Sequence, residues 1–285
     1  MRLHRPALLA LLLGCACSRA HELPAPTEVL VQSAAGALPL EAGDAQWSRA
    51  AEFPAALIPQ DMVEPRLLAP STQELRVRAL TDGARIAFRL EWKDASANDV
   101  QMPAVFTDAC AVQLPTRTAA DVPAPQMGEP GRPVEITHWR ASWQAAVDGR
   151  PDTIQALHRN AIPFVYPYEA ASLETGSEAQ LEMQRRYAPA RALANHMAGP
   201  RERPVEDLQA EGPGTLAPAS AVDGNGRGLR TREGWAVVLS RRLPAGLAPG
   251  QRTQVAFAVW QGEGQEVGAR KMRTGWIPLL LEVRP

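Results

Sequence analysis

The sequence predicts a mainly β fold, a single antiparallel β-sandwich with long loops and one short helical excursion. Three observations predict it. Short runs in which large apolar residues alternate with polar ones recur along the chain, and 26 prolines and 21 glycines are spread between them. Only one longer stretch has the composition of a helix. Many short strands separated by turn residues are typical of sandwiches and barrels.

The first twenty residues have the pattern of a secretory signal. A basic start, Met1–Arg5, precedes the apolar run Pro6–Gly14, which is too short to span a bilayer. Ser18–Ala20 supplies the small residues that signal peptidase requires, so His21 would begin the mature chain. We therefore expect residues 1–20 to be a signal peptide.

A lipoprotein signal is the alternative reading of this amino end. The motif Leu12–Cys15 resembles a lipoprotein box, and Cys17 offers a second, weaker acylation site. Both readings predict a protein that is exported to the periplasm, either free or anchored by lipid. Residues 21–285 are then expected to form one β-sandwich domain.

Charge and cysteine content exclude several classes of function. The formal net charge is −1, which gives no electrostatic basis for binding nucleic acid or an anionic membrane. Two of the three cysteines lie in the predicted signal, which leaves Cys110. A disulfide framework and a cysteine-ligated zinc or iron–sulfur site are therefore excluded.

The clearest strands form a hairpin. In Arg85–Trp92 every second residue is large and apolar, which is the pattern of a half-buried strand. The preceding run, Gln73–Leu80, is also strand-like, and Thr81–Gly83 supplies the turn between the two. Further strands are expected at Ala109–Leu114, Val134–Trp143, Trp235–Ser240, Thr253–Trp260 and Trp276–Val283.

Two segments differ from this β pattern. Ser177–Met197 is rich in helix-forming residues, and Pro189 should break or kink the helix. Val147–Thr175 is irregular and carries the aromatic run Pro163–Tyr168. Long inserts of this kind usually cover the end of a sandwich at which ligands bind.

No catalytic motif stands out. Gly262–Gly268 has the wrong spacing for a dinucleotide fingerprint, and no helix-forming segment follows it, so a glycine-bearing loop is expected. Asp223–Gly228 is interpreted as a hairpin turn. No histidine pair has the spacing of a helical zinc site, and His138 is expected to be a hydrogen-bonded core residue on one strand face.

Several stretches, taken in order, resemble one known family. In order and combination they are similar to the haem b-binding γ subunits of type II DMSO-reductase-family molybdoenzymes, the group of the ethylbenzene, dimethylsulfide, chlorate and selenate enzymes. The resemblance extends from about Val29 to the carboxyl end and is weakest between Val147 and Tyr187. Its stretches are Leu90–Asp94, Phe106–Pro115, Met127–Ala141, Pro204–Leu208, Gly212–Leu216, Ala258–Gly262 and Gly268–Lys271.

The resemblance implies one haem b at the end of the sandwich, with Met127 and Lys271 as the axial ligands of its iron. The haem would be non-covalent, since the chain has no Cys-x-x-Cys-His motif. Gln261 departs from the family, which usually has aspartate after the loop tryptophan. If the register of the match is shifted, Met102 and Met272 are the alternative sulfur ligands.

This ligand pair is suited to carrying electrons. Thioether sulfur is a soft, neutral donor that favours Fe(II), and lysine can bind iron only as the neutral amine. Burial penalises the ammonium form, which makes ligation possible near neutral pH. With both axial sites occupied, neither gas nor substrate can coordinate the iron. Arg140, Arg270 and Arg273 are candidate partners of the haem propionates.

The resemblance also implies partners. The chain would be a non-catalytic electron-transfer subunit beside an iron–sulfur β subunit and a molybdopterin α subunit. It would exchange electrons with a soluble cytochrome or another carrier. The alternative is a haem-free sandwich that binds carbohydrate, for which seven tryptophans could supply stacking platforms. Against this, Trp92, Trp235 and Trp260 lie in apolar strand patterns and are expected to be core residues.

Overall fold

The computed structural model describes residues 26–151, 160, 176–193, 195 and 201–283. The predicted signal and nearly all of the predicted irregular insert lie outside these residues. The described part of the chain contains fourteen strands joined by hydrogen bonds into one sheet. They are β1 (Val29–Ser33), β2 (Phe53–Ala56), β3 (Ile58–Pro59), β4 (Glu74–Thr81), β5 (Arg85–Lys93), β6 (Ala109–Pro115), β7 (Val134–Arg140), β8 (Val205–Ala210), β9 (Ala217–Pro218), β10 (Asn225–Arg230), β11 (Gly234–Arg242), β12 (Arg252–Trp260), β13 (Met272–Arg273) and β14 (Ile277–Leu281).

The helices of the described residues are few and short, and two of them lie outside the single helical excursion that the sequence predicted. The predicted helix is present, and it stops at Tyr187 just before Pro189 starts a further turn. No helix within the described ranges is both long enough and apolar enough to cross a bilayer. The helices are a 3-10 helix (Ala45–Arg49), α1 (Ala141–Val147), α2 (Glu178–Tyr187) and α3 (Pro189–Ala192).

The sheet folds over on itself into two layers. Strand β12 joins them, because its first half pairs with β14 and its second half, Ala256–Trp260, pairs with β6. Aromatic side chains meet across the space between the layers. The ring of Phe88 on β5 lies 5.7 Å from that of Phe257 on β12, and Trp139 on β7 lies 5.1 Å from Trp235 on β11. The expected sandwich-like fold is thus confirmed.

One strand departs from the expected antiparallel pairing. Strand β1 runs parallel to both of its neighbours, β4 and β14, so the sheet is mixed. Parallel neighbours need long connections, and β1 has them. Residues 34–73 separate it from β4, and β14 is the last strand of the chain.

Two other assignments from the sequence are corrected. The strand predicted over Val134–Trp143 ends at Arg140, and α1 begins at Ala141, where alanine and glutamine favour a helix. The predicted turn at Asp223–Gly228 is instead mostly strand β10. Its glycines allow close packing against other segments. A Cβ at Gly228, for example, would lie 2.2 Å from the Trp139 ring.

Both faces of the second layer are covered. Every residue of β6 is buried, which a strand with one solvated face could not achieve. Its inner residues, such as Val112, belong to the core between the layers. A separate apolar cluster lies on its outer face: Ala111, Val134, Ile136, Leu208 and Ala210. Three of its residues, Ala111, Ile136 and Leu208, line the candidate site.

Asp108, at the entry to β6, ties the two layers and the adjoining loops together. Its buried carboxylate accepts hydrogen bonds from the Asn98 amide at 2.8 Å, the Gly262 amide at 2.9 Å and the Trp235 indole at 2.9 Å. Burial raises its pKa to about 6, against the effect of these donors. The carboxylate is thus the shared acceptor of three separate segments.

Replacing Asp108 with alanine is expected to lower the free energy of unfolding by about 3–5 kcal/mol, since three buried donors lose their acceptor. Urea unfolding of the ligand-free protein measures the loss. Asp82→Ala is the matched control, because Asp82 accepts two main-chain N–H bonds in the exposed β4–β5 turn. Its loss should be near 1 kcal/mol. Equal losses in the two variants would contradict the assigned role of Asp108.

Candidate functional site

A cavity of about 490 Å³ lies over the outer face of the second layer. Its size falls within the range of roughly 300–1,000 Å³ that is usual for sites of small molecules and cofactors. Alanines make much of its floor, which consists of Ala109 and Ala111 on β6 and Ala256 and Ala258 on β12, with Gln113 and Trp260 from the same strands beside them. Ala111 and Ala258 lie directly opposite each other in the strand register. These short side chains leave room above the sheet for a flat ligand.

Loops form the walls of this cavity. They place apolar residues around it, and several of these residues remain exposed at its rim, including Met62, Val105 and Val267. An apolar wall with few polar groups is typical of cofactor sites. Wall residues come from the loop positions Gln60–Val63, Gln101–Thr107, Pro125–Met127, Pro213–Leu216 and Glu266–Ala269.

Most of the residues singled out from the sequence line this one cavity. Met127, Lys271, Arg140 and Arg273 are all part of its lining, and Arg270 is not. The cavity lies over a sheet face, whereas the resemblance implied the end of the sandwich.

The two methionines named as alternative sulfur ligands lie in different parts of the structure. Met102 lines the cavity, but the Met272 side chain is fully buried in the core between the layers. A further sulfur that the sequence did not single out, in Met62, also lines the cavity and accepts a hydrogen bond from Gln126 at 3.6 Å.

Met127 is held in a strained backbone conformation. Its φ is +67°, a left-handed value that bulky side chains rarely adopt and that costs about 1–3 kcal/mol. The next residue must be glycine, because a Cβ at Gly128 would lie 2.8 Å from the Ala210 carbonyl. The Met127 carbonyl accepts a hydrogen bond from the Gly212 amide at 2.8 Å. Strain of this kind is concentrated at functional sites, which marks Met127 out from a gap-filling methionine.

Lys271 has the environment of an amine that can lose its proton. Burial, with the nearby positive charge of Arg273, lowers its pKa from the ordinary 10.5 to about 8. Its Nζ lies 5.2 Å from the centre of the Trp260 ring, and no carboxylate of the described residues forms an ion pair with it. The chain has 28 arginines but only one other lysine, Lys93, which is exposed at the end of β5.

The loop before Lys271 is fixed by hydrogen bonds within the loop and from the end of β12. The Trp260 indole donates to the Gly268 carbonyl at 3.0 Å, and the Gln261 amide donates to the Glu266 carboxylate at 3.0 Å. The Gln261 side chain lies 3.5 Å from Asp94 and does not line the cavity. The position that departs from the family therefore lies outside the cavity lining.

His138 confirms the expectation of a hydrogen-bonded core residue and also lines the cavity. Its Nδ1 lies 3.1 Å from a Glu206 carboxylate oxygen, and its ring packs against Trp143 and Trp260. Burial lowers its pKa, so the ring is neutral near pH 7.

Arginines adjoin this side of the cavity. The guanidinium carbon of Arg140 lies 4.9 Å from the centre of the Trp143 ring, and that of Arg201 lies 3.8 Å from it. Arg273 is mostly buried, with Asp61 4.0 Å away. Arg140 and Arg273 therefore bring positive charge to a wall that is otherwise largely apolar.

Two other chemistries lack support in the described residues. Within the described ranges, no group of three or more histidine, cysteine or carboxylate side chains could hold a metal ion. All seven tryptophans lie in these ranges, none of them is exposed and only Trp260 lines the cavity, so they form no set of exposed stacking platforms.

Together the fold and the cavity define a β-sandwich protein with a cofactor-sized apolar site. Residues 44–202, more than half of the chain, match the family model described as ethylbenzene dehydrogenase. The chain belongs to this family, which confirms the resemblance to the haem-binding γ subunits. The matched range contains Met127 and Arg140 and stops before Lys271.

The curated relatives that the chain matches are subunits of reductases, and the name of one of them describes a haem subunit. Chlorate reductase subunit gamma of Ideonella dechloratans is 27% identical over 69% of this chain and 59% of its own length. "Putative respiratory nitrate reductase heme subunit ORF7" of Haloferax mediterranei is 32% identical over 42% of this chain and 44% of its own length. The chain thus spans about half the length of the curated relatives it matches.

Solved structures with some likeness are carbohydrate-binding modules of family 9 from Caldicellulosiruptor kristjanssonii. The complex with cellotriose has a TM-score of 0.41 at 8% identity, covering 90% of this chain and 94% of that one. The complex with glucose has a TM-score of 0.38 at 9% identity, covering 90% and 96%. A likeness this weak carries no argument about function.

Proposed function

We propose that this chain is the electron-transfer subunit of a periplasmic molybdoenzyme complex and binds one non-covalent haem b. Met127 and Lys271 are the axial ligands in this proposal. The observation that carries it is the cavity itself, where a methionine in a strained conformation and a lysine of lowered pKa line one alanine-floored space. Membership of the ethylbenzene dehydrogenase family supports the same function.

The residues around the cavity are suitable for binding haem b. A thioether and an amine that can become neutral are a suitable donor pair for haem iron. The alanine floor suits a planar macrocycle, and the apolar walls exclude water. Bound haem supplies a one-electron couple between Fe(III) and Fe(II).

Each residue then has a defined task. The Met127 sulfur favours the reduced iron, and the Lys271 amine completes the axial pair so that no site remains open to gas or substrate. Arg140 and Arg273, at the cavity wall, can pair with propionate carboxylates. Neutral His138, held by Glu206, fills the wall beside Trp260 without adding charge.

The partners follow from the relatives, one of which is described as the gamma subunit of chlorate reductase. We propose an iron–sulfur β subunit and a molybdopterin α subunit as the complex, with a soluble cytochrome or another carrier outside it. The predicted signal peptide is the basis for placing the complex in the periplasm. No nucleic-acid partner is proposed, because a net charge of −1 gives no electrostatic attraction to a phosphate backbone.

Haem content and co-purification test this function. The tagged chain, isolated from its native host, should contain one haem per chain that is of b type in the pyridine haemochrome assay. It should also co-purify with subunits that contain iron–sulfur clusters and molybdopterin. A haem-free chain, a covalently attached haem or a chain purified without such subunits would each overturn the corresponding part of the proposal.

The affinity for ferric haem should depend on pH. A proton and the iron compete for the same lone pair on Lys271, so affinity should rise about tenfold per pH unit up to pH 8 and level off above it. Titrations of the haem-free protein between pH 6.5 and 8.5 measure this, above the lowered pKa of His138. Lys271→Met is the control, since a thioether has no such proton. An equal slope in this variant would assign the effect to another group.

A further inference from the structure

Gln60 is a buried residue whose amide is fully occupied by hydrogen bonds to the main chain. Its Oε1 accepts from the amides of Met62 at 2.7 Å and Val63 at 2.8 Å. Its Nε2 donates to the carbonyls of Val63 at 2.7 Å and Ala269 at 3.0 Å. A glutamine amide offers two donors and two acceptor positions, and here all four are used.

These bonds join the segment Ala269–Lys271 to the loop that begins at Gln60. The Gln60 amide N–H donates to the Lys271 carbonyl at 2.9 Å, and its side chain holds the Ala269 carbonyl two residues earlier. The Met272 side chain, which follows, is anchored in the core between the layers. The main chain is thus held on both sides of Lys271, by the Gln60 side chain at Ala269 and by the pairing of β13 with β12 and β3 from Met272 onward.

The position of Gln60 in the chain explains why its main-chain N–H bonds to the Lys271 carbonyl. Pro59 has no N–H, so the pairing of β3 with β13 continues through the Gln60 amide. Lysine has a flexible four-carbon side chain, and a fixed backbone reduces the number of positions its amine can reach. Residues that orient a ligand often change metal affinity 10- to 100-fold when they are replaced.

We propose that Gln60 is a positioning residue for Lys271, which holds the lysine main chain so that the amine stays on the haem iron. The proposal rests on the function proposed above and adds a residue to it. Through Met62 and Val63, Gln60 also fixes a second wall of the same cavity relative to Lys271. Loss of the Gln60 side chain should therefore release the segment before Lys271, and with it the amine, while the main-chain bond and the sheet beneath remain intact.

Acetylation of the haem-loaded protein by acetic anhydride tests this directly, because the chain has only two lysines. An iron-bound amine has no free lone pair, so Lys271 should react far more slowly than exposed Lys93. Peptide mass spectrometry gives the two rates. In Gln60→Leu the Lys271 rate should rise about 10- to 100-fold, while the Lys93 rate stays constant.

Two controls separate positioning from general loosening. The Cys110 thiol is fully buried in the core, so its reaction with a thiol reagent reports global opening. It should remain unreactive in Gln60→Leu. Gln32→Ala removes a glutamine that also bonds a loop amide, that of Ala51 at 2.8 Å, and should leave Lys271 protected. If Gln60→Leu fails to fold, Gln60→Asn, whose shorter amide cannot span the same groups, takes its place.

The outcomes are distinct. Fast acetylation of Lys271 in the haem-loaded wild type would overturn lysine ligation and with it the proposed function. Protection of Lys271 in both the wild type and the Gln60 variants would overturn the role of Gln60 and leave the function standing. Parallel increases at Lys271 and Cys110 would show that Gln60 only supports the fold, and would also overturn the proposal.

Discussion

Replacing Lys271 with alanine is expected to convert the haem from six-coordinate low-spin to five-coordinate high-spin and to weaken haem binding by about 100-fold or more. The reason is that the amine is a direct ligand, whereas even residues behind a ligand change affinity 10- to 100-fold. Absorption spectra and haem titrations measure both effects. A small amine such as methylamine should enter the space left by the side chain and restore the low-spin spectrum.

Lys93→Ala is the matched control for this variant. It removes the other lysine of the chain, which is exposed at the end of β5. Its spectrum and affinity should equal those of the wild type. A low-spin spectrum that survives in Lys271→Ala without added amine would mean that another residue binds the iron, with His138 the first candidate in the cavity wall.

Met127→Leu is expected to have the second large effect. Leucine conserves the volume of methionine and the strained backbone but offers no donor atom. The low-spin spectrum should be lost, and the reduction potential should fall by on the order of 100 mV because the sulfur stabilises Fe(II). Spectra of both redox states and a potentiometric titration measure this.

The other two methionines of the cavity are the controls. Met62→Leu and Met102→Leu each remove a sulfur from the same lining and should leave both the spectrum and the potential unchanged. If Met102→Leu gives the high-spin spectrum and Met127→Leu does not, the axial sulfur is that of Met102. The strained backbone at Met127 would then need another explanation.

Local patterns predicted the elements whose contacts are local. The β4–β5 hairpin was found because alternation in Arg85–Trp92 reflects a strand with one buried face. Strand β10 was missed because Gly226 and Gly228 are typical of turns in sequence, yet here they allow close packing against other segments. The parallel pairing of β1 depends on strands far away along the chain, which no local pattern reports.

The candidate site also has parts that the sequence predicted and parts that depend on contacts between distant segments. The resemblance supplied Met127 and Lys271, but nothing in the sequence links Gln60 to Ala269, which are 209 residues apart. The alanine floor could not be predicted either, because alternating alanines in β6 and β12 indicate a shared floor only once the pairing of the two strands is known. Lysine is rare in this sequence, at two residues against 28 arginines, and this rarity sets Lys271 apart.

Near-infrared magnetic circular dichroism of the ferric protein distinguishes the proposed ligand pair from its alternatives, because the charge-transfer band depends on the axial ligands of the iron. We expect the band of a methionine–amine pair in the wild type and a different band in both Lys271→Ala and Met127→Leu. The band of a histidine-containing pair, or a high-spin spectrum in the wild type, would contradict the proposed ligand pair.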